Sequence, residues 1–236
     1  MPALSPSDVL SLWESGRSLH PLDRGVLALR MNLARSSADD VADWPLGRRN
    51  REIARLRRAC FGSELRVQSK CPHCAEAVEF AFDADALAAA PQTDVETVTV
   101  SGVAFRLPTS RILASVVDEP DAERAAIRLC ESCRVDAEGA DGNAPAPSAD
   151  DIERIGEAMA LADPLAEIAF GFECPACGAA FREALDLAEF FWLEIEAEAK
   201  RLLIDVHTLA SAYGWREQDV LALSPARRAF YVERVF

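Results

Sequence analysis

Cys71-Pro-His-Cys74 and Cys174-Pro-Ala-Cys177 repeat one four-residue pattern, with the whole of Ala75 to Glu173 between them. Their flanks decide what the pattern means. "ELRVQSK" (Glu64–Lys70) and "AVEFAF" (Ala77–Phe82) alternate with a period of two on either side of the first motif. "IAFGFE" (Ile168–Glu173) and "AAFREAL" (Ala179–Leu185) do the same around the second. Each motif is therefore expected to be the tight turn of a β-hairpin. The likeness extends beyond the cysteines. Counted from the first Cys of each motif, Val78 matches Phe181, Phe82 matches Leu185, Asp83 matches Asp186 and Leu87 matches Phe190. Each unit thus reads as hairpin, Asp cap and helix.

A Cys-x-x-Cys turn aims two thiolates at one point, and two such turns complete the four-sulfur tetrahedral set that Zn²⁺ prefers. Cys71, Cys74, Cys174 and Cys177 are therefore expected to share one structural zinc, clamping segments far apart in the chain. Thioredoxin-like redox chemistry is the rival reading of CPHC. Those motifs cap a helix and usually follow an aromatic residue, whereas Lys70 and Glu173 precede these and strand-like alternation follows. His73 lies inside the first turn, is redundant beside four thiolates, and is expected to be exposed. Cys130 and Cys133 have the same spacing in a helical segment but no second pair to complete a site. They read as buried thiols, as does Cys60.

Around the hairpins the pattern is helical. Ser5 caps a helix with Pro6 at its first position and Gly16 at its end, and a second helix runs from about Pro21 to Ala34. A basic helix follows from about Arg48 to Cys60, with Ile53, Leu56 and Cys60 on one face. Arg48, Arg49, Arg51, Arg55, Arg57 and Arg58 dominate the rest. That basic face is expected to be solvated or, in so acidic a chain, to dock an acidic partner. "VETVTVSGVAFRLP" reads as a hairpin turning at Ser101-Gly102. Helices follow at about Ser110–Val117, Ala122–Cys133 and from a Ser148 cap to Ala162. After Asp186 a stripe of Leu187, Phe191, Ile195, Leu202, Val206, Leu209 and Tyr213 predicts one helix of roughly 40 Å ending at Gly214. His207 lies near that stripe and reads as a packing residue. Short helices at about Glu217–Leu223 and Pro225–Val235 close the chain.

The fold expected is α+β, mainly helical, with a small zinc-ribbon-like β subdomain built from the two distant hairpins. Residues 1–62 form an N-terminal helical region, and 63–93 with 165–186 form the discontinuous ribbon. Residues 94–164 form an insertion carrying a flexible loop at 136–149, and 187–236 hold the long helix and two short ones. No apolar run is long enough to span a bilayer and no signal-peptide pattern opens the chain, so a cytoplasmic protein is expected. Thirty-nine acidic against 25 basic residues give a net charge of −14, which disfavours nucleic acid and points to protein partners. No Walker A, GxGxxG, GxSxG or HExxH motif occurs, and His20, His73 and His207 lack a carboxylate or nucleophile partner by spacing. Nothing in the residues argues for catalysis.

Several stretches together resemble a known family. They are "LSLWESGRSLHPLDRGVLAL" (Leu10–Leu29), "WPLGRR" (Trp44–Arg49), "LRRACFG" (Leu56–Gly62), the paired CPxC turns, "FRLPTSR" (Phe105–Arg111), and "RLLIDVHTLASAYGWREQDVLALSPARRAFYVERV" (Arg201–Val235). These resemble the baseplate hub proteins and hub assembly chaperones of T-even-type contractile phage tails and related injection systems. The resemblance implies a non-enzymatic protein that helps build the baseplate hub or is retained in it, with other hub, spike or tape-measure proteins as partners. Cys130 with Cys133 and the Asp136–Ala149 loop depart from the family pattern. A zinc-ribbon adaptor remains a further alternative, although Arg66, Lys70 and Arg182 alone supply positive charge around the turns. The C-terminal segment mixes aromatics and arginines as interface hot spots do, so Trp215, Arg216, Arg227, Arg228, Phe230 and Tyr231 are the candidate partner-binding residues. Packing of Trp215 and Tyr231 against the long helix is the alternative.

Overall fold

A computed structural model describes residues 1–33, 40–91, 95–135 and 147–235. The chain is mixed α/β, more than half helical, with three separate two-stranded antiparallel sheets among the described residues. Helix α1 (Pro6–Gly16) opens with a capping box in which Ser5 and Asp8 satisfy each other's backbone N–H groups. It is followed by α2 (Pro21–Leu33) and α3 (Leu46–Phe61). Strands β1 (Glu64–Lys70) and β2 (Ala77–Asp83) flank the first CPxC turn, and α4 (Asp85–Ala89) follows. The inserted segment holds β3 (Thr97–Val100), β4 (Val103–Arg106), α5 (Ser110–Ala114), α6 (Ala122–Cys133) and α7 (Ala149–Ala162). Strands β5 (Ala169–Glu173) and β6 (Ala180–Ala184) flank the second turn. Helices α8 (Leu187–Tyr213), α9 (Glu217–Leu221) and α10 (Pro225–Val232) complete the order.

The long helix α8 is the axis of the main core. Its Leu187, Phe191, Ile195, Leu202 and Leu209 are buried against α1, α2, α3 and α9. Each such side chain contributes about 1.5–3 kcal/mol by leaving water. Gly214, at φ 68, ends the helix in the left-handed conformation, where a Cβ is disfavoured. Two residues of the expected stripe behave otherwise: Tyr213 is 43% exposed, and His207 points to solvent instead of packing. Both lie toward the C-terminal end of α8.

The insertion has a core of its own, in which Phe105, Leu107, Cys130, Cys133, Ile155 and Met159 pack together. Cys130 and Cys133 are its interior thiols, and burial pushes the Cys133 thiol up to about 11. Ser101 and Gly102 both have positive φ, as a two-residue hairpin turn between β3 and β4 requires. A buried polar seam joins this unit to α3. The Gly47 N–H donates to Asp163 Oδ2 (2.8 Å), the Leu46 N–H to the Pro108 carbonyl (3.0 Å), and Arg49 Nη1 to Ser110 Oγ (3.0 Å). A Cβ at position 47 would collide with the Asp163 carboxylate, so the seam accepts only glycine there. Of the expected loop, residues 136–146 lie outside the described residues. Helices α5, α9 and α10 end earlier than expected, each in a short turn.

Half of the basic face of α3 is buried, which corrects the sequence expectation for those residues, while Arg55 and Arg58 stay exposed. Arg49, Arg51 and Arg57 are buried. Arg57 grips Glu194 of α8 through Nε (3.0 Å) and Nη2 (2.7 Å) and donates through Nη1 to the Gly62 carbonyl (2.7 Å). Arg55 Nε donates to the Ala88 carbonyl (3.1 Å), and Arg58 pairs with Asp85 (2.7 Å). These arginines clamp α4 and α8, their stems covering apolar surface while their heads find internal acceptors. Cys60 is half-buried against the main core, with its Sγ accepting from the Leu4 N–H at 3.4 Å.

Candidate metal centre

The two hairpins have the same register. Lys70 pairs with Ala77 in one and Glu173 with Ala180 in the other, each pair flanking its CPxC turn. In each turn the first Cys accepts from the residue four on and donates to the residue five on. Ala75 N–H meets the Cys71 carbonyl and Cys71 N–H the Glu76 carbonyl (both 2.9 Å). Gly178 N–H meets the Cys174 carbonyl (2.8 Å) and Cys174 N–H the Ala179 carbonyl (2.9 Å). These bonds close the knuckle and turn both thiols of a pair to one side.

The hairpins then face each other about a local pseudo-twofold axis. Cys71 Sγ lies 3.8 Å from Cys177 Sγ, and Cys74 Sγ lies 3.6 Å from Cys174 Sγ, so the first Cys of each turn meets the second of the other. Beside the sulfurs, Phe80 stacks on Phe172 with centroids 3.8 Å apart, while the equivalent positions of the other half hold Glu183 and Ser69. There the hydroxyl donates to the carboxylate at 3.0 Å. One structural pair is filled by aromatic stacking on one side and by a hydrogen bond on the other. Phe82 and Phe170, at 4.3 Å, extend the aromatic seam toward the main core. Val78 and Phe181, matched in the sequence repeat, both line the sulfur cluster.

All four ligand atoms lie within 4.8 Å of one another. Thiolates about 2.3 Å from a central ion at tetrahedral corners are separated by about 3.8 Å, so the cross-hairpin distances fit a metal. Electrostatics points the same way. Burial raises the Cys71 thiol, but the N–H groups of His73 and Cys74 and the thiols of Cys174 and Cys74 outweigh it and bring Cys71 down to about 6. At Cys74 the Glu76 N–H lowers the value. The Cys177, Cys174 and Cys71 sulfurs, with burial, push it up to about 12. Cys177 is raised too: the Ala179 N–H and the Cys74 thiol lower it, but burial and the Cys174 and Cys71 sulfurs outweigh them. Cys71 ionises readily while Cys74 and Cys177 resist, since thiolates crowded into so small a volume repel one another; a cation among them would relieve that repulsion. The described cysteines are all free of disulfides.

Cys71 and Cys174 are buried while Cys74 and Cys177 are exposed, as is His73. Neither CPxC begins a helix; each follows a strand, which removes the helix N-terminus that activates a thioredoxin-type thiol. The Asp caps hold unevenly. Asp186 Oδ1 accepts from the Ala188 and Glu189 N–H groups of α8, but Glu189 reaches Arg24 instead of completing a capping box. Asp83 accepts from the Asp85 N–H (2.8 Å), yet the helix it precedes is only α4, five residues long.

The repeat also extends further than the matched positions read from sequence. Leu65 and Ile168 each stand six residues before the first Cys and reach the main core. Ala84 and Leu187 follow it by thirteen, Ala88 and Phe191 by seventeen, and all are buried. Carrying the alignment outward from the cysteines would have found them.

Ala75 and Gly178 are equivalent residues, both left-handed, at φ 60 and 69. Ala75→Gly is expected to stabilise the protein by about 0.5–1 kcal/mol and Gly178→Ala to destabilise it by a similar amount, since a Cβ is strained there. Urea unfolding of the two variants measures this; equal effects of one sign contradict it.

The C-terminal candidates divide. Arg228 is 1% exposed and donates through Nε to Asp205 (2.9 Å), so it is an interior residue and is withdrawn from the partner-binding set. Arg216, Arg227 and Phe230 are exposed, whereas Trp215 and Tyr231 are half-buried in an aromatic cluster with Tyr213. No helix among the described residues is long and apolar enough to cross a membrane. Comparisons of the chain with protein families, with curated proteins and with solved structures find no match.

Proposed function

We propose that the protein is a non-enzymatic assembly chaperone or component of the baseplate hub of a contractile tail or related injection system. In this reading one structural zinc staples its two hairpins as a discontinuous ribbon. The observation that carries the zinc reading is the convergence of four sulfurs from hairpins about a hundred residues apart at spacings that match a tetrahedral thiolate set. The hub reading is supported by the resemblance of the C-terminal Arg201–Val235 segment and by an acidic, helix-rich surface suited to protein partners. Its partners are other hub, spike or tape-measure proteins.

Metal analysis of purified protein is expected to give about one zinc per chain, with no insulin-reductase activity. Reductase activity in metal-free protein would favour the thiol-disulfide reading instead. Co-expression with hub, spike and tape-measure proteins of a contractile tail from the same source is expected to yield a stable complex. A chain that stays monomeric and ignores all of them overturns the hub reading and leaves the zinc reading standing.

A further inference from the structure

Many exposed arginines of this acidic protein are paired, although Arg17, Arg30, Arg106 and Arg182, scattered along the chain, are exposed with no carboxylate in ion-pair distance among the described residues. Exposed Arg58, Arg111, Arg124, Arg154 and Arg201 each meet a carboxylate within 4 Å. Arg216, Arg227 and Arg234 are also exposed, and none has a carboxylate within ion-pair distance among the described residues. All three lie within the last turns of the chain. With Arg228 buried on Asp205, the exposed charges of residues 213–235 are Arg216, Arg227 and Arg234 against Glu217, Asp219 and Glu233, a neutral stretch in a chain whose net charge is −14.

These cations surround an aromatic surface. Tyr213 stacks on Trp215 (5.0 Å), Trp215 meets Tyr231 edge-on (5.0 Å), and Tyr231 meets Phe230 (5.8 Å). Arg234 lies over the Phe230 ring at 4.0 Å. The cluster is incompletely covered, with Tyr213 43% and Phe230 50% exposed. Helical spacing aligns the rest: Arg227, Phe230, Tyr231 and Arg234 stand at i, i+3, i+4 and i+7 of α10 and the turn after it. The neighbouring Arg228 turns inward to Asp205 and so fixes which face of α10 looks out.

We propose that Tyr213, Trp215, Arg216, Arg227, Phe230 and Arg234 form a docking face for an acidic amphipathic segment of another protein. The partner's carboxylates meet the three unpaired guanidiniums, and an apolar side chain lies on the exposed Tyr213 and Phe230 rings. Aromatic anchors ringed by arginine are the composition of interface hot spots, and the three exposed guanidiniums beside the rings, with no carboxylate in ion-pair distance among the described residues, favour an acidic ligand. Single-stranded nucleic acid also stacks on aromatics among arginines, but the chain's net charge of −14 repels a phosphate chain. The inference deepens the hub reading by naming where and by what chemistry a partner is held.

The probe is a fluorescein-labelled amphipathic helical peptide of glutamate and leucine, followed by anisotropy against the full chain. Saturable binding is expected at about 50 mM salt, weakening roughly tenfold at about 500 mM. Arg227→Glu/Arg234→Glu is expected to lose at least about tenfold in affinity with an unchanged thermal melt, and Phe230→Ala to lose affinity with the salt dependence retained. Absence of binding up to about 1 mM peptide, or binding indifferent to the charge reversal, overturns the proposal. So does an oligothymidylate that occupies this face and excludes the peptide. A hub complex that survives the double charge reversal would place its contact elsewhere without touching the hub reading. Peptide binding by a chain that meets no hub protein would do the converse.

Discussion

Cys174→Ser protein is expected to purify without stoichiometric zinc and to melt about 10 °C below the parent, with most of its helical signal intact at 25 °C. Cys174 is 1% exposed, and its Sγ lies 3.6 Å from that of Cys74. A serine hydroxyl there stays protonated and leaves three sulfurs around an incomplete tetrahedron. Structural zinc contributes about 10–16 kcal/mol of apparent binding energy to folding, and one ligand in four forfeits at least about 3–4 kcal/mol of it. In a chain of this length each kcal/mol moves the melting temperature by about 2–4 °C. The helical signal survives because the core around α8 draws on the hairpins at their bases, through Leu65, Phe82, Ile168, Phe170 and Leu185, while the sulfurs sit at the far tips. A strong chelator applied to the parent should reproduce the variant. Cys60→Ser and Cys133→Ser should keep their zinc, since neither thiol belongs to the cluster. Protein that is metal-free yet unchanged in its melt would falsify the stapling role.

The parts of this fold that were legible in sequence are those whose signals are local. The CPxC turns, the Ser101-Gly102 hairpin and the Ser5, Ser148 and Asp186 caps each rest on residues within a few positions of one another, and the structure forms them in place. The convergence of the two CPxC turns was readable for another reason: two matching hairpin turns each supply half of a four-thiolate set, whereas the helical Cys130 and Cys133 have no such counterpart. What could not be read were pairings set by tertiary neighbours. Six arginines on α3 look like a water-facing surface until Glu194, the Ala88 carbonyl and Ser110 arrive from distant segments to accept their hydrogen bonds. Arg227 and Arg228 are adjacent and identical in type, yet one faces water and the other the interior. The register of a short helix against α8 decides between them, and no local pattern encodes it.

That register makes Asp205 the most sensitive single position of the C-terminal region. Asp205→Ala is expected to raise amide exchange in α10 by about two to three orders of magnitude while lowering the global melting temperature by only a few degrees. The Arg228 side chain is 1% exposed, and its Nε–H donates to Asp205 at 2.9 Å, with Nη1 buried and without a partner. Removing the carboxylate strands a buried cation, a change that costs about 3–5 kcal/mol. The cheapest escape is for α10, whose element contacts run mainly to α8, to swing out and hydrate the guanidinium, so the loss falls on α10 before the whole chain. Arg228→Met should be milder, since Asp205 keeps Arg201 at 3.4 Å. Asp205→Leu/Arg228→Met, which replaces the pair by apolar groups of similar bulk, should return α10 protection to near the parent level. Hydrogen exchange read at residues 225–232 in Asp205→Leu, Arg228→Met and their double variant closes a double-mutant cycle. Equal loss of protection in the single and double variants would mean that the ion pair does not hold α10 in place, and the aromatic contacts of Tyr231 with Tyr213 and Trp215 would then carry that role.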